Sequence, residues 1–188
     1  YFSLDDESRQ RRPLDTIFNE HYAVNRLDGK PRDRSTFIRA WRVVLPYRGL
    51  LPSVSALGFT NYVPDPDGIL RHIPLYIRHG ENLSPTASLQ IWLKLKGIHY
   101  STVDITPRSV RFGDTVIPTD RNCFMRINYP ASEPVYPYIS FLDVLDGEFE
   151  PGTFTGKVVM VGSSSRSLGD LKRIPGYGAL PGVEIHAA

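Results

Sequence analysis

Sixteen prolines and fifteen glycines interrupt these 188 residues. Proline fixes φ and donates no backbone N–H, and glycine opens turn conformations closed to other residues. Such frequent punctuation favours strands joined by structured loops over a helical bundle. The length suits a single domain with a real hydrophobic core, and 41% hydrophobic with 22% charged residues is a globular balance, not a disordered one.

Charge excludes one class of partner. Twenty-two basic against twenty acidic side chains leave a formal charge of +2. The densest basic cluster, Arg9, Arg11 and Arg12, stands beside Asp5, Asp6 and Glu7. A nucleic-acid surface needs an unopposed basic face, so no nucleic acid is expected as a partner. The sole cysteine, Cys123, rules out an internal disulfide and sits among apolar neighbours, where a thiol acts as a small hydrophobe. No stretch approaches the roughly 18 to 20 apolar residues that span a bilayer, and no signal-peptide pattern opens the chain. It reads as soluble, and its abrupt ends suggest a piece of a larger protein.

Residues 1–40 read as exposed loop or a short helix, and "WRVVLPY" (41–47) as β-rich up to Pro46. Residues 57–78 predict a hairpin: "LGFTNYV", the reversal "PDPDG" (64–68), then "ILRHIPLYIR", with Pro74 marking an edge or a bulge. Ser84 fits a helix N-cap, Pro85 the first helical position and Gly97 the stop, with Leu89, Trp92 and Leu93 as the apolar stripe. In "VRFGDTVIP", Gly113-Asp114 predicts a type II′ hairpin turn. Ser140 with Asp143 reads as a capping box opening a short helix that ends near Gly147. "KVVMVG" (157–162) predicts a short strand buried on both faces. The pattern is an α/β fold: a mixed, layered sheet with hairpins, flanked by helices, in a single domain.

No catalytic constellation emerges. A nucleophile elbow needs Gly-x-Ser-x-Gly, and the run Gly162-Ser163-Ser164-Ser165-Arg166 lacks the second glycine. No phosphate-loop string occurs, and "GYGALPG" (176–182) lacks the dinucleotide spacing. Serines bonding loop backbone at a strand's end are the simpler reading, with a serine hydrolase or acyltransferase using Ser163–Ser165 as the alternative. The five histidines are scattered, and the Glu184–His186 pair, at i, i+2, would face two ways on a helix. No metal and no cofactor are expected. Asp170 is a loop cap or a ligand-contacting group; Arg71 and Arg78 are solvated strand charges or anion contacts. The candidate ligand-binding residues are Ser163, Ser164, Ser165, Asp170 and Arg71.

Several of these stretches, in this order, resemble the second type of CHASE domain, the cyclases/histidine kinases associated sensory extracellular family. They are "GFTNYVPDPDGILRHIPLYI" (58–77), "LSPTASLQIWLKLKG" (83–97), "MRINY" (125–129), "ISFLDVLDG" (139–147), "FTGKVVMVGSSS" (154–165) and "LGDL…LPGVEIHA" (168–187). Their collinear order over roughly 46–188 is far more specific than any one of them; residues 1–45 lie outside the matching strings.

The resemblance implies a non-catalytic input domain on the extracytoplasmic side of a bacterial cytoplasmic membrane. Flanking membrane helices would anchor it to a cytoplasmic nucleotide cyclase, histidine kinase or serine/threonine kinase. Its partner would be a small-molecule or envelope ligand of unknown identity, with a homodimer possible. A purely structural dimerisation module is a further alternative. The resemblance also implies that "VVMVGSSS" is the family's strand and small-residue loop, where Gly-Ala-Thr is commoner. "PGVEIHAA", with Pro181 suited to a helix start, would carry movement toward the membrane if loop 162–175 touches it.

Overall fold

The computed structural model describes residues 2–3, 37–47, 49–80, 82–99, 102–106, 108–129, 136–165, 170–176 and 178–188. Apart from its two ends, the polar opening segment 1–40 lies outside these residues, as do Arg9, Arg11 and Arg12. The chain packs as two compact units, Tyr1–Ile127 and Asn128–Ala188. The mixed α/β content matches the sequence pattern, built from sheets of two or three strands.

In the first unit, β1 (Phe2–Ser3), β2 (Arg39–Ala40) and β3 (Arg42–Val43) are two-residue pieces. β4 (His72–Pro74), β5 (Tyr76–His79) and β6 (Asn82–Pro85) follow the reversal. The hairpin expected over 57–78 does not form as such. Its turn exists: Asp65 N–H donates to the Ile69 carbonyl at 3.0 Å and Gly68 N–H to the Asp65 carbonyl at 2.8 Å. The returning strand then takes other partners. β5 pairs antiparallel with β6 and parallel with β2, and β4 pairs antiparallel with β10 (Phe124–Arg126). Residues 57–63 contribute only a parallel bridge from Phe59 to Thr86. Pro64 and Pro66 cannot donate to a ladder, and the turn closes at Ile69, so the two arms diverge before they can pair.

Helix α1 spans Ala87–Lys96, two residues later than the sequence predicts. Thr86 is the N-cap, while Ser84 and Pro85 finish β6, because the Thr86 N–H still donates to the Leu75 carbonyl at 2.9 Å. Its end is the predicted one: Gly97 takes a left-handed φ of 62° and returns its N–H to Leu93 and Lys94. Leu89 and Leu93 are buried, and Trp92 packs on Phe112 with ring centroids 5.6 Å apart. Strands β7 (Val103–Thr106), β8 (Ser109–Phe112) and β9 (Thr115–Pro118) form an antiparallel meander. Gly113, at φ 58° in the β8–β9 turn, is the type II′ glycine of the sequence reading.

Before β10, the Asp120 carboxylate accepts from the N–H groups of Asn122 at 2.8 Å and Phe124 at 2.9 Å. This loop holds Cys123 buried at φ 65°, with its carbonyl accepting from Leu75 N–H at 2.9 Å. Next to it lies Tyr76, fully buried. The Tyr76 hydroxyl has no hydrogen-bond partner among the described residues, and burial pushes its pKa up. An unsatisfied buried hydroxyl costs about 1–3 kcal/mol of desolvation. Tyr76→Phe, which removes only that oxygen, is therefore expected to raise stability by about 1 kcal/mol. A denaturant midpoint shifted upward at constant m checks this.

The second unit contains α2 (Phe141–Asp146), a β11–β12 hairpin (Leu171–Ile174 and Gly178–Pro181) and α3 (Gly182–Ala187). Ser140 caps α2 as expected: its hydroxyl accepts from Leu142 N–H at 3.2 Å, and Gly147 closes the helix at φ 78°. The predicted strand in "KVVMVG" is absent. Val158, Val159 and Val161 are 52%, 53% and 75% exposed, and they pair with no described strand. A strand exists only where a neighbour takes up its N–H and C=O groups, so β-branched composition alone does not make one here.

Candidate functional site

Three of the candidate residues sit on one loop of the second unit. Ser163 is half-buried and Ser164 and Ser165 are exposed. The Ser163 hydroxyl accepts from Ser165 N–H at 3.2 Å, a local turn bond of the kind small polar residues make in loops. Residues 166–169 lie outside the described set. Asp170 follows at the start of β11, where its carboxylate lies 3.6 Å from Lys172 Nζ.

Both ends of this loop rest on the start of α3. At one end, a Cβ added to Gly162 would stand 2.4 Å from Val183 Cβ and 2.9 Å from each of its methyl carbons. Carbon atoms pack at about 3.5–4.0 Å, so only glycine lets the chain pass this close to the helix. At the other end, the Asp170 carbonyl accepts from Gly182 N–H at 2.9 Å. Gly162 and Asp170 thus grip Val183 and Gly182, consecutive residues of α3. The condition set by the sequence, that loop 162–175 touch the "PGVEIHAA" segment, is met at two points.

Helix α3 begins at Pro181, which serves as N-cap. It buries Glu184, Ile185 and His186. Glu184 and His186 are both enclosed despite the i, i+2 spacing, because the helix is covered on more than one side. Two tyrosines absent from the candidate list supply part of that cover. Tyr138 OH donates to the Glu184 carboxylate, and Tyr136 OH donates to the Ala187 carbonyl at 2.7 Å. Burial pushes the Tyr136 pKa up, so its hydroxyl remains a proton donor at neutral pH. The only sequence signal for them is the string "YPY" (136–138), whose alternation places both rings on one side of an extended chain. The β11–β12 hairpin also escaped the sequence reading, although Pro175-Gly176 is an ordinary turn signal.

Arg71 belongs to the first unit, in the 65–71 turn. Its guanidinium donates to Asp65 at 2.7 Å and to both oxygens of Asp67 at 3.0 and 2.8 Å. Those bonds hold both carboxyls below their usual range and raise the arginine pKa. The turn thus compensates the Arg71 charge internally, and His72 Nδ1 stands 3.4 Å from Asp65.

Among the described residues no cluster of three or more His, Cys, Asp or Glu could hold a metal. No helix among them is long and apolar enough to cross a membrane. No curated protein and no solved structure matches the chain. A family model does, and its match takes in residues 2–45, which the resemblance in the sequence had left aside. From residue 2 to residue 188 the chain matches the CHASE2 domain, an extracellular sensory domain of signalling receptors, and it belongs to that family.

Proposed function

We propose that this domain is the non-catalytic input module of a bacterial membrane receptor, working on the extracytoplasmic face of the cytoplasmic membrane. In this reading the receptor's cytoplasmic part is a nucleotide cyclase, a histidine kinase or a serine/threonine kinase. A small molecule or envelope component contacts loop 162–170 and stabilises one of its arrangements. Helix α3 carries the resulting displacement to a membrane anchor.

One observation supports this mechanism above others: the loop is fixed at both ends to neighbouring residues of α3, through Gly162 on Val183 and Asp170 on Gly182. A ligand that binds one arrangement better than another shifts the population by its difference in affinity, and a rearrangement that shifts either tether loads the helix. The Ser163 hydroxyl accepts from Ser165 N–H, which supports a loop-shaping role over a nucleophilic one.

The test is the receptor's own output, read as cyclic nucleotide or as phosphorylation, with Ser163, Ser164, Ser165 and Asp170 replaced together by alanine. None of these substitutions removes the backbone contacts to α3. A change of at least about three-fold in output, with stability within about 1 kcal/mol of the parent, is expected for these exposed or half-buried loop positions. Unaltered output would take the loop out of the mechanism.

A further inference from the structure

Helix α3, Gly182–Ala187, is held by neighbours at several points along its length. Its start is held by the Gly162 and Asp170 contacts. Its middle and end are held by Tyr138 on the Glu184 carboxylate and Tyr136 on the Ala187 carbonyl. Glu184 is only 7% exposed, so its carboxylate has been taken from water and depends on protein donors.

Between the tyrosines stands Pro137, which fixes its own φ and has no N–H to divert into other pairing. The strap runs on within two residues to Ser140, the cap that anchors it to α2. A stiff tripeptide with both prongs on one helix is a clip. We propose that Tyr136 and Tyr138 form such a clip, that it sets how firmly α3 is held, and that it is the contact a signal must open before α3 can move. The proposal rests on α3 being the output helix, and goes beyond it by naming what restrains that helix.

The experiment uses Tyr136→Phe, Tyr138→Phe and the double variant, each of which deletes only hydroxyls and keeps the rings. Amide hydrogen exchange is followed over residues 182–188, with the β11–β12 hairpin of the same unit as internal reference for intact folding. Local opening controls such exchange. The double variant should exchange at 182–188 at least ten-fold faster, each single variant by less, with the reference hairpin unchanged. Equal exchange in parent and double variant overturns the clip. If the double variant loses the reference hairpin as well, the Tyr136→Phe variant, which spares the Glu184 carboxylate, decides by the same criterion. The double variant is also placed in the whole receptor, where basal output should shift. Faster exchange without any shift in output leaves the clip standing and refutes α3 as the output helix.

Discussion

Gly162→Ala is expected to destabilise the second unit by about 2–3 kcal/mol and to change receptor output at the same time. The first carbon of any side chain there would sit 2.4 Å from Val183 Cβ. That is more than 1 Å inside ordinary carbon contact, and overpacking of this kind costs about 1–3 kcal/mol. The strain has two outlets, a shift of the loop or a shift of α3, and both act on the proposed signal path. Thermal unfolding should show a midpoint lower by about 5–10 °C. The partner variant Val183→Ala removes two methyl carbons but keeps the clashing Cβ. In a double-mutant cycle it should therefore recover part of the loss and not all of it. Additive effects would mean that Gly162 and Val183 do not oppose each other.

Gly58→Ala should do more damage to the first unit, on the order of 3 kcal/mol or above. Here the obstacle is backbone: the added carbon would stand 2.6 Å from Ala87 Cα, 2.7 Å from Ala87 N and 3.0 Å from the Thr86 carbonyl carbon. No rotamer change relieves a clash with main chain. The neighbouring bonds also forbid retreat, since Phe59 N–H donates to Pro85 at 3.0 Å and Ala87 N–H donates to Phe59 at 2.8 Å. Phe59 itself is completely buried, so any displacement opens the core around Ala40 and Ile77. A glycine in extended chain often marks such close passage of another backbone. Gly68→Ala provides the contrast: space is open there and only the left-handed φ of 78° opposes it, for about 1 kcal/mol. Chemical denaturation should separate the two variants clearly, and equal midpoints would refute the steric account.

Local signals in the sequence were reliable wherever a residue's own backbone or side chain decides the outcome. Gly97, Gly113 and Gly147 stop or turn the chain where expected, because positive φ is a property of the residue itself. Ser140 caps its helix for the same kind of reason. Errors came where pairing between segments decides, whether the partner is far along the chain or, as in the β5–β6 and β11–β12 hairpins, a few residues on. Residues 57–63 and 72–79 have matching alternation, yet the returning strands pair with 39–40, 82–85 and 124–126. The run Val158–Val161 has strand composition and pairs with no described strand. At the candidate loop, the serines and Asp170 were visible as residue types. The grip of Gly162 on Val183 was not, because a glycine's missing side chain announces nothing about what fills its place. Tyr136 and Tyr138 were overlooked for a related reason: their partners, Ala187 and Glu184, come some fifty residues later.

The left-handed turn at Cys123 bears on life outside the cell, where oxidants convert accessible thiols into mixed disulfides and acids. With the residue 1% exposed and its backbone fastened to Leu75, the sulfur cannot meet a foreign thiol or peroxide while the first unit stays closed. The chain also offers it no second cysteine for an erroneous crosslink during folding. Redox damage at this position is therefore a record of unfolding, and labelling by a thiol reagent would time the opening of that unit.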